Sequence, residues 1–305
     1  MLPISAILID HSKERIPLIS GAVESILNNT VLPSEIIIVI DLSQEDYQNY
    51  LREIKKIPLF DQPLIHFYRN EFSKGPAGAR NYAILLAKYN WLAFLDSDDL
   101  WHKEKLFYQW NFMQKRPFLK ASHTKELWLK NHQVVQTPKR LEPGTGKFLI
   151  EAFRHCLISM SSVLIKKQVF FELGGFDEKL LAAEDYDFWL RYLIKYPIGL
   201  VSNIKNQPPT IKRSGNWFQT SMTKNIDVYR MYSLIKIYKN FYNILDPLEK
   251  EELIYQLKNR FRIINEQRKK YLFDNYVENL YLEILKEMDN LNLFITKEEI
   301  NEKSF

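Results

Sequence analysis

Residues 91–99 read Trp-Leu-Ala-Phe-Leu-Asp-Ser-Asp-Asp, an apolar run that ends directly in acids. The run 91–95 has the length and composition of a buried strand. Alternate side chains of an extended chain face the same side, so Asp96 and Asp98 are predicted to face one ligand. Either these acids bind a hard cation such as Mg²⁺ or Mn²⁺, or they cap a helix that begins near Trp101.

Further β-rich runs and helical patterns alternate with this one from the start of the chain. The strands are predicted at 4–9, 35–40 and 64–68, and the helices at 17–28, 44–56 and 77–89. This alternation predicts an α/β fold with a mostly parallel sheet flanked by helices, a Rossmann-like arrangement. Ligands of such sheets bind beyond the carboxyl ends of the strands.

The end-of-strand positions therefore supply the first candidate binding residues. They include Asp10 and Ser12 after the first run, Asp41 after the second, and Asp96 and Ser97 after the run at 91–95. From residue 223 to 305 the pattern changes to long aromatic and charged helical stretches, which predict a helical C-terminal extension.

Two other segments suggest chemistry. Glu184 and Asp185 open an apolar helical pattern, where a carboxylate is either a general base or a partner of the helix dipole. At 74–81, a glycine-bearing turn opens a helix that carries Arg80 and Asn81. Backbone N–H groups and an arginine at a helix start suit a diphosphate, although Gly-Pro before a helix is also ordinary punctuation.

Composition narrows the class of protein. The chain has 305 residues, a net charge of +5 and one cysteine, Cys156, so an intrachain disulfide and a Cys-rich zinc site are excluded. The charge is mixed along the chain, and nucleic acid is not an expected partner. We see no signal peptide and no membrane span, and expect a cytoplasmic protein. The basic stretch 258–270 is either a solvated helix face or a peripheral contact with the inner face of an anionic membrane.

The order of these motifs resembles the family 2 glycosyltransferases of the GT-A fold. The segments that carry the resemblance are Asp10-His11-Ser12, Asp41-Leu42-Ser43, the Gly-x-x-x-Ala-Arg-Asn helix start, the Leu-Asp-x-Asp-Asp segment (a DxD motif) with its following Trp and Lys-Leu, the Ser-rich run 158–165 before Gly-Gly-Phe-Asp-Glu, and Glu-Asp-Tyr-Asp-x-Trp-Leu-Arg at 184–191. The resemblance covers about residues 4–221. It implies a glycosyltransferase domain at 1–222, with a nucleotide-sugar-binding half at about 1–115 and an acceptor half at about 116–222.

The resemblance also implies an activity and residue roles. The activity is inverting, metal-dependent transfer from a nucleotide-diphosphate sugar, with a UDP-sugar as expected donor, to a glycan or lipid-linked acceptor in bacterial surface polysaccharide biosynthesis. Asp98 would hold Mn²⁺ or Mg²⁺, and Asp185 would be the general base. The other residues implied in donor, acceptor or lid contacts are Asp10, Ser12, Asp41, Arg80, Asn81, Asp96, Ser97, Glu184, Asn216 and Trp217.

Departures from the family pattern keep alternatives open. Leu42 stands in the usual Asp-Asp-Gly-Ser turn, and Asn216 replaces a histidine found in a related subgroup. Both changes favour a catalytically decayed scaffold that binds nucleotide or glycan, whereas the retained acids argue against it. A sugar nucleotidyltransferase is disfavoured because no glycine-rich loop follows the first strand.

Overall fold

The computed structural model describes residues 1–215, 217, 223, 225–270 and 272–291. The strands are β1 (Leu2–Asp10), β2 (Pro33–Ile40), β3 (Ile65–Arg69), β4 (Trp91–Phe94), β5 (Leu100–Trp101), β6 (Ala121–Thr124), β7 (Glu126–Lys130), β8 (Gln133–Val135), β9 (Leu164–Lys166), β10 (Gly199–Val201) and β11 (Thr210–Ser214). The helices are α1 (Ile16–Leu27), α2 (Gln44–Ile54), α3 (Pro76–Leu86), α4 (Lys105–Gln114), α5 (Leu149–Arg154), α6 (Lys167–Leu173), α7 (Glu184–Lys195), α8 (Ile226–Phe241), α9 (Pro247–Lys270) and α10 (Asn275–Asn290).

The central sheet is mainly parallel, as predicted. Its strand order is β10-β6-β9-β4-β1-β2-β3, and β9 alone among these described strands runs antiparallel to both neighbours. Since β1 lies between β2 and β4 and is parallel to both, the carboxyl ends of these strands meet at one edge. The candidate residues after β1, β2 and β4 therefore come together.

Helices cover both faces of this sheet. Along β1, Ala6 and Leu8 face a cluster formed with α1 and α2, whereas Ile7 faces the opposite cluster. This opposite cluster continues through α7 into α8, α9 and α10, so the C-terminal helices share the core of the sheet. A strand buried on both faces needs the continuous apolar sequence found in β2. The predicted domain boundary between residues 222 and 223 adjoins residues 218–222, which lie outside the described residues. This boundary therefore stays a prediction.

A second, smaller sheet includes β5, the strand that directly follows the acidic segment 96–99. Its order is β5-β11-β7-β8, and Trp101 of β5 pairs with Thr210 of β11. The prediction of a helix near Trp101 is wrong: Leu100–Trp101 form a strand, and α4 begins only at Lys105. The acids at 96–99 therefore do not cap that helix.

None of the helices in the described ranges combines the length and the apolar character that crossing a bilayer would require.

Candidate active site

Asp10, at the end of β1, is buried and fixed from several sides. Its carboxylate accepts hydrogen bonds from the Tyr50 hydroxyl at 2.8 Å and from the backbone N–H of His11 at 2.9 Å, and it lies 3.3 Å from Nε of Arg15. Burial raises the pKa of the Asp10 carboxyl to about 6. Arg15 also donates to Oγ of Ser97 at 3.0 Å and so joins the ends of β1 and β4. Through Arg15, Asp10 and Ser97 thus hold the ends of β1 and β4 together.

Asp41, at the end of β2, holds the loop that precedes α3. Its carboxylate accepts from Nδ2 of Asn70 at 2.9 Å and from the backbone N–H of Gly75 at 2.7 Å. Gly75 has φ of +110°, which favours glycine, and a Cβ at Gly78 would lie 1.9 Å from a loop carbonyl. The glycines of the predicted turn are therefore needed by the backbone itself.

Arg80 joins the edge of the sheet to α7. Its guanidinium donates to Oδ1 of Asp96 at 2.8 Å and, from its other terminal nitrogen, to Oε1 of Glu184. Arg80 and Glu184 are buried, whereas Asp96 is partly exposed. Burial raises the pKa of Glu184 to about 7, although Arg80 opposes this shift. The ion pairs bring Asp185, the next residue of α7, to the acids that follow β4.

Asp98 and Asp99 diverge after β4. Oδ2 of Asp98 accepts from the indole Nε1 of Trp217 at 2.9 Å and lies 3.5 Å from Arg15. The Asp99 carboxylate accepts from Oγ of Ser161 at 2.6 Å and from the backbone N–H of Arg213 at 2.9 Å. Burial raises the pKa of Asp99 to about 8. Asp98 thus contacts the segment predicted as a lid, and Asp99 ties the two sheets together.

Asp185 lies in the first turn of α7 and is partly exposed. Its Oδ1 accepts from the backbone N–H of Tyr186 at 2.7 Å, and its Oδ2 accepts from Sγ of Cys156 at 3.5 Å. Burial, followed by the charge of Asp185, raises the pKa of the Cys156 thiol, so this group remains a hydrogen-bond donor. The thiol therefore helps to orient the Asp185 carboxylate.

Lys212 of β11 is a functional candidate that sequence reasoning missed. Burial lowers the pKa of its ammonium, but the surrounding carboxylates more than compensate, and the pKa lies above its ordinary value. These carboxylates belong to Glu126, Asp99, Asp96 and Asp185. The positive charge of Lys212 therefore acts both on the acids that follow β4 and on Asp185 of α7. Its place in a Lys-Arg pair before a glycine was the signal available in the sequence.

Two of the remaining predicted residues have structural contacts. Oγ of Ser12 accepts from the backbone N–H of Glu14 at 3.2 Å and caps a short 3₁₀ helix. The Asn81 amide exchanges two hydrogen bonds of 2.9 Å with the backbone of Phe176, which fixes the Gly-Gly-Phe-Asp-Glu segment against α3. Asn216 lies outside the described residues, and any contact with metal or diphosphate stays a prediction.

The donor chemistry of Asp98 and Asp96 suits Mg²⁺ or Mn²⁺. Among the described residues there is no cluster of three His, Cys, Asp or Glu side chains able to hold a metal ion. Mg²⁺ in nucleotide sites is commonly bound by one or two carboxylates together with substrate phosphates, so a complete protein cage is not needed.

Two protein-family models together match most of the chain. The sequence model described as "Glycosyl transferase family 2" matches residues 9–144, and that described as "Glycosyltransferase like family 2" matches residues 145–286. The chain belongs to glycosyltransferase family 2. Its family assignment agrees with the resemblance seen in the motifs.

Relatives and solved structures support this family and its GT-A fold. The glucosyltransferase WfaP of Escherichia coli is 29% identical over 253 residues, covering 79% of this chain and 92% of WfaP. An uncharacterized glycosyltransferase of Rickettsia conorii is 31% identical over 183 residues, which cover 58% of this chain and 28% of that protein. The first curated relatives are thus matched over roughly a quarter of their own length, 25–28%.

The crystal structure of Staphylococcus aureus TarS 1–349 shows the same fold. It has a TM-score of 0.63 and 16% sequence identity, and the match covers 94% of this chain and 80% of TarS 1–349. The complex of TarS 1–349 with UDP-GlcNAc gives a TM-score of 0.60 at the same identity, covering 95% of this chain and 89% of that one.

Proposed function

We propose that this family 2 glycosyltransferase transfers a sugar from a UDP-sugar to a hydroxyl acceptor with inversion. The observation that carries this proposal is the Arg80 bridge, which joins Asp96 after β4 to Glu184 beside Asp185. A donor site and a proton acceptor are thus built into one cluster of charges. TarS 1–349 has been crystallised with UDP-GlcNAc and with UDP, which supports a UDP-sugar as the donor class.

The donor site is formed by the edge of the sheet where β1, β2 and β4 end. Asp41 and Asp96 are partly exposed acids there. By the family resemblance, Asp41 would contact the base or ribose, and Asp96 the ribose. Asp10, Ser12, Ser97 and Asn81 support this edge through the contacts described above. Arg80 and Lys212 carry the positive charge that balances a diphosphate.

In the proposed reaction, Asp185 takes the proton of the acceptor hydroxyl. The acceptor oxygen then forms the new bond to the anomeric carbon, while the bond from this carbon to the UDP oxygen breaks and UDP leaves with the electron pair. Glu184 is paired with Arg80 and buried, and its part in this step is to position α7. The Cys156 thiol holds the Asp185 carboxylate by donating to Oδ2.

We further propose that the reaction uses Mn²⁺ or Mg²⁺, held by Asp98 together with the diphosphate of the donor. The ion supplies charge stabilisation for the departing diphosphate. Trp217, whose indole donates to Asp98, is the residue that we propose as a lid over this carboxylate.

The acceptor is proposed to be a glycan or a lipid-linked sugar of a bacterial surface polysaccharide. WfaP and WfgD of Escherichia coli are named as glucosyltransferases acting on GlcNAc-diphosphoundecaprenol, and TuaG of Bacillus subtilis as a putative teichuronic acid biosynthesis glycosyltransferase. Work on a lipid-linked acceptor would place this chain in the cytoplasm, peripherally at the inner face of the membrane. The proposal for peripheral contact also draws on the basic stretch 258–270.

Calorimetry with UDP, with and without Mn²⁺, followed by a UDP-sugar hydrolysis assay, tests this function. We expect UDP to bind more tightly with the metal and the donor to be hydrolysed slowly. Equal UDP affinity with and without Mn²⁺ would remove the metal from the mechanism. Binding without turnover across a broad donor panel would favour the decayed scaffold.

A further inference from the structure

A groove between α5, α8 and α9 lies beside the candidate active site. Its volume is about 910 Å³, within the usual range of ligand sites. At one end it is lined by His155, which directly precedes Cys156 in the chain. The thiol of Cys156 donates to Asp185 at 3.5 Å, so this groove-lining histidine is adjacent in the chain to the partner of the proposed base.

Arginines from each of these helices line the groove. Arg154 of α5 is paired with Glu252 at 2.5 Å. Arg260 of α9 donates to Asp227 at 2.7 Å and to two backbone carbonyls of α5. These two guanidinium groups therefore already have strong acceptors.

Arg230 of α8 is less committed than the other two arginines. It lies 4.0 Å from Asp227, an acid that Arg260 already binds. Nε of Arg230 is buried and makes no hydrogen bond within the described part of the chain, and the same holds for Nε of Arg260. A buried N–H donor without a partner carries a desolvation cost that an anionic ligand would relieve.

Positive charges surround His155. Burial, and after it the charges of neighbouring arginines, lower the pKa of His155, so the imidazole is held neutral. The arginines are Arg140, Arg260, Arg230 and Arg154. Arg230 and Arg260 also lie 6.0 and 5.8 Å from the ring centroid of Tyr186, the residue after Asp185.

Apolar side chains also line the groove, interspersed on α9 with the polar residues Glu251, Gln256 and Asn259. Leu248 and Tyr255 of α9 line it and are 66% and 57% exposed. Ile150 and Ile263 add further apolar surface. Large exposed apolar side chains gathered beside a charged cluster are typical of a surface that binds an amphipathic ligand.

We infer that this groove binds the acceptor as a diphosphate-linked isoprenoid, with the diphosphate on Arg230 and the prenyl chain over Leu248 and Tyr255. This orientation directs the acceptor sugar toward Asp185, past His155 and Cys156. The inference rests on the proposed function, because only a transferase needs an acceptor there. Charge complementarity and the names of WfaP and WfgD, which include diphosphoundecaprenol, agree on this class of ligand.

The test is a calorimetric titration of the full chain with farnesyl diphosphate at saturating UDP, which keeps the probe out of the donor site. Arg230→Gln removes the proposed diphosphate contact. Leu248→Asp removes apolar contact at an exposed position near the start of α9, where an acid is tolerated by the helix dipole. Arg262→Gln is the matched control, since Arg262 is an exposed arginine of α9 that does not line the groove. Inorganic pyrophosphate is titrated in parallel.

We expect Arg230→Gln to weaken farnesyl diphosphate and pyrophosphate binding by about tenfold or more, the scale of one charge-assisted hydrogen bond. Leu248→Asp should weaken farnesyl diphosphate alone, and Arg262→Gln should leave both affinities unchanged. Folded Arg230→Gln and Leu248→Asp proteins that bind the probe like the control would overturn the inference. The inference would also be overturned if farnesyl diphosphate competed with UDP. It would be overturned as well if the protein bound anionic vesicles and neither groove substitution changed that binding.

Failure of the inference is distinguishable from failure of the proposed function. If wild-type protein binds neither UDP nor a UDP-sugar, the proposed function is wrong. If it binds and hydrolyses a UDP-sugar but farnesyl diphosphate binding does not depend on the groove, only the inference is wrong. A melting temperature for each variant shows whether a loss of binding reflects unfolding.

Discussion

Asp185 is the residue on which catalysis is proposed to depend. Replacing it with Asn keeps the shape of the side chain and removes the proton acceptor. We expect Asp185→Asn to keep UDP-sugar binding while lowering turnover by about 10²-fold or more, the usual scale for a lost general base. Single-turnover kinetics beside a binding isotherm check this. Unchanged turnover would return Asp185 to partnering the helix dipole.

Asp98 is the proposed ligand of the metal ion. We expect Asp98→Ala to abolish the gain in UDP affinity that Mn²⁺ gives to the wild type, because the other two acids of the segment are engaged. Asp96 is paired with Arg80, and Asp99 accepts from Ser161 and from the backbone of Arg213. Calorimetry with and without Mn²⁺ measures this gain. A variant that retains the full metal effect would move the ion to other residues.

Asp10 allows a pH prediction with a defined sign. Its pKa is raised by burial from 3.8 to about 6 in the folded chain, so between these values the folded state holds a proton that the unfolded state has lost. This contribution to stability is therefore lost as the pH rises from about 4 to 6. Asp10→Asn should gain in melting temperature relative to wild type across that window. A constant difference between the two proteins would contradict the raised pKa.

Residue roles could be predicted from the sequence only in part. The positions of Asp41 and Asp96 at strand ends could be predicted, because the apolar pattern of each strand is local in sequence. The partners Arg15 and Ser161 could not be predicted, since their hydrogen bonds to Ser97 and Asp99 join segments far apart in sequence. The thiol of Cys156 reaches Asp185 for the same reason: adjacency to α7 is created by tertiary packing alone.

At the scale of elements, the Arg80–Glu184 pair joins α3 to α7. Arg80→Ala leaves the Glu184 carboxylate buried without its partner, and we expect a loss of about 3–5 kcal/mol in the free energy of unfolding. Urea denaturation measures it. The control is Arg69→Ala, which removes an exposed ion pair with Glu71 and should cost about 1 kcal/mol or less. Equal losses in the two variants would show that the pair does not hold the helices together.

The strands and helices were predicted well where a single period of apolar residues dominates the local sequence. The strands and helices from 4 to 95 are confirmed to within a few residues because each is one local pattern of apolar side chains. The helix expected near Trp101 fails because Trp101 pairs with β11 and its indole donates to the Ser161 carbonyl at 2.8 Å. These partners lie far along the chain, so no local pattern around Trp101 indicates them.

At the scale of the whole molecule, the C-terminal helices complete the core of the sheet and border the groove beside the site. Leu257 and Ile264 of α9 lie in the same hydrophobic cluster as Phe94 of β4. The sequence predicts the helical character of residues 223–305, whereas the groove between α5, α8 and α9 depends on how these helices pack. In the proposal, the acceptor groove and the donor edge of the sheet meet at Asp185.

A crystal structure of the full chain with UDP and Mn²⁺ tests the central claim most directly. We predict that the ion, identified by its anomalous signal, contacts Asp98 at about 2.1 Å, that the diphosphate lies beside Arg80 or Lys212, and that the Asp185 carboxylate faces the same cavity from the α7 side. Nucleotide bound elsewhere, or a cavity that Asp185 does not reach, would contradict the account.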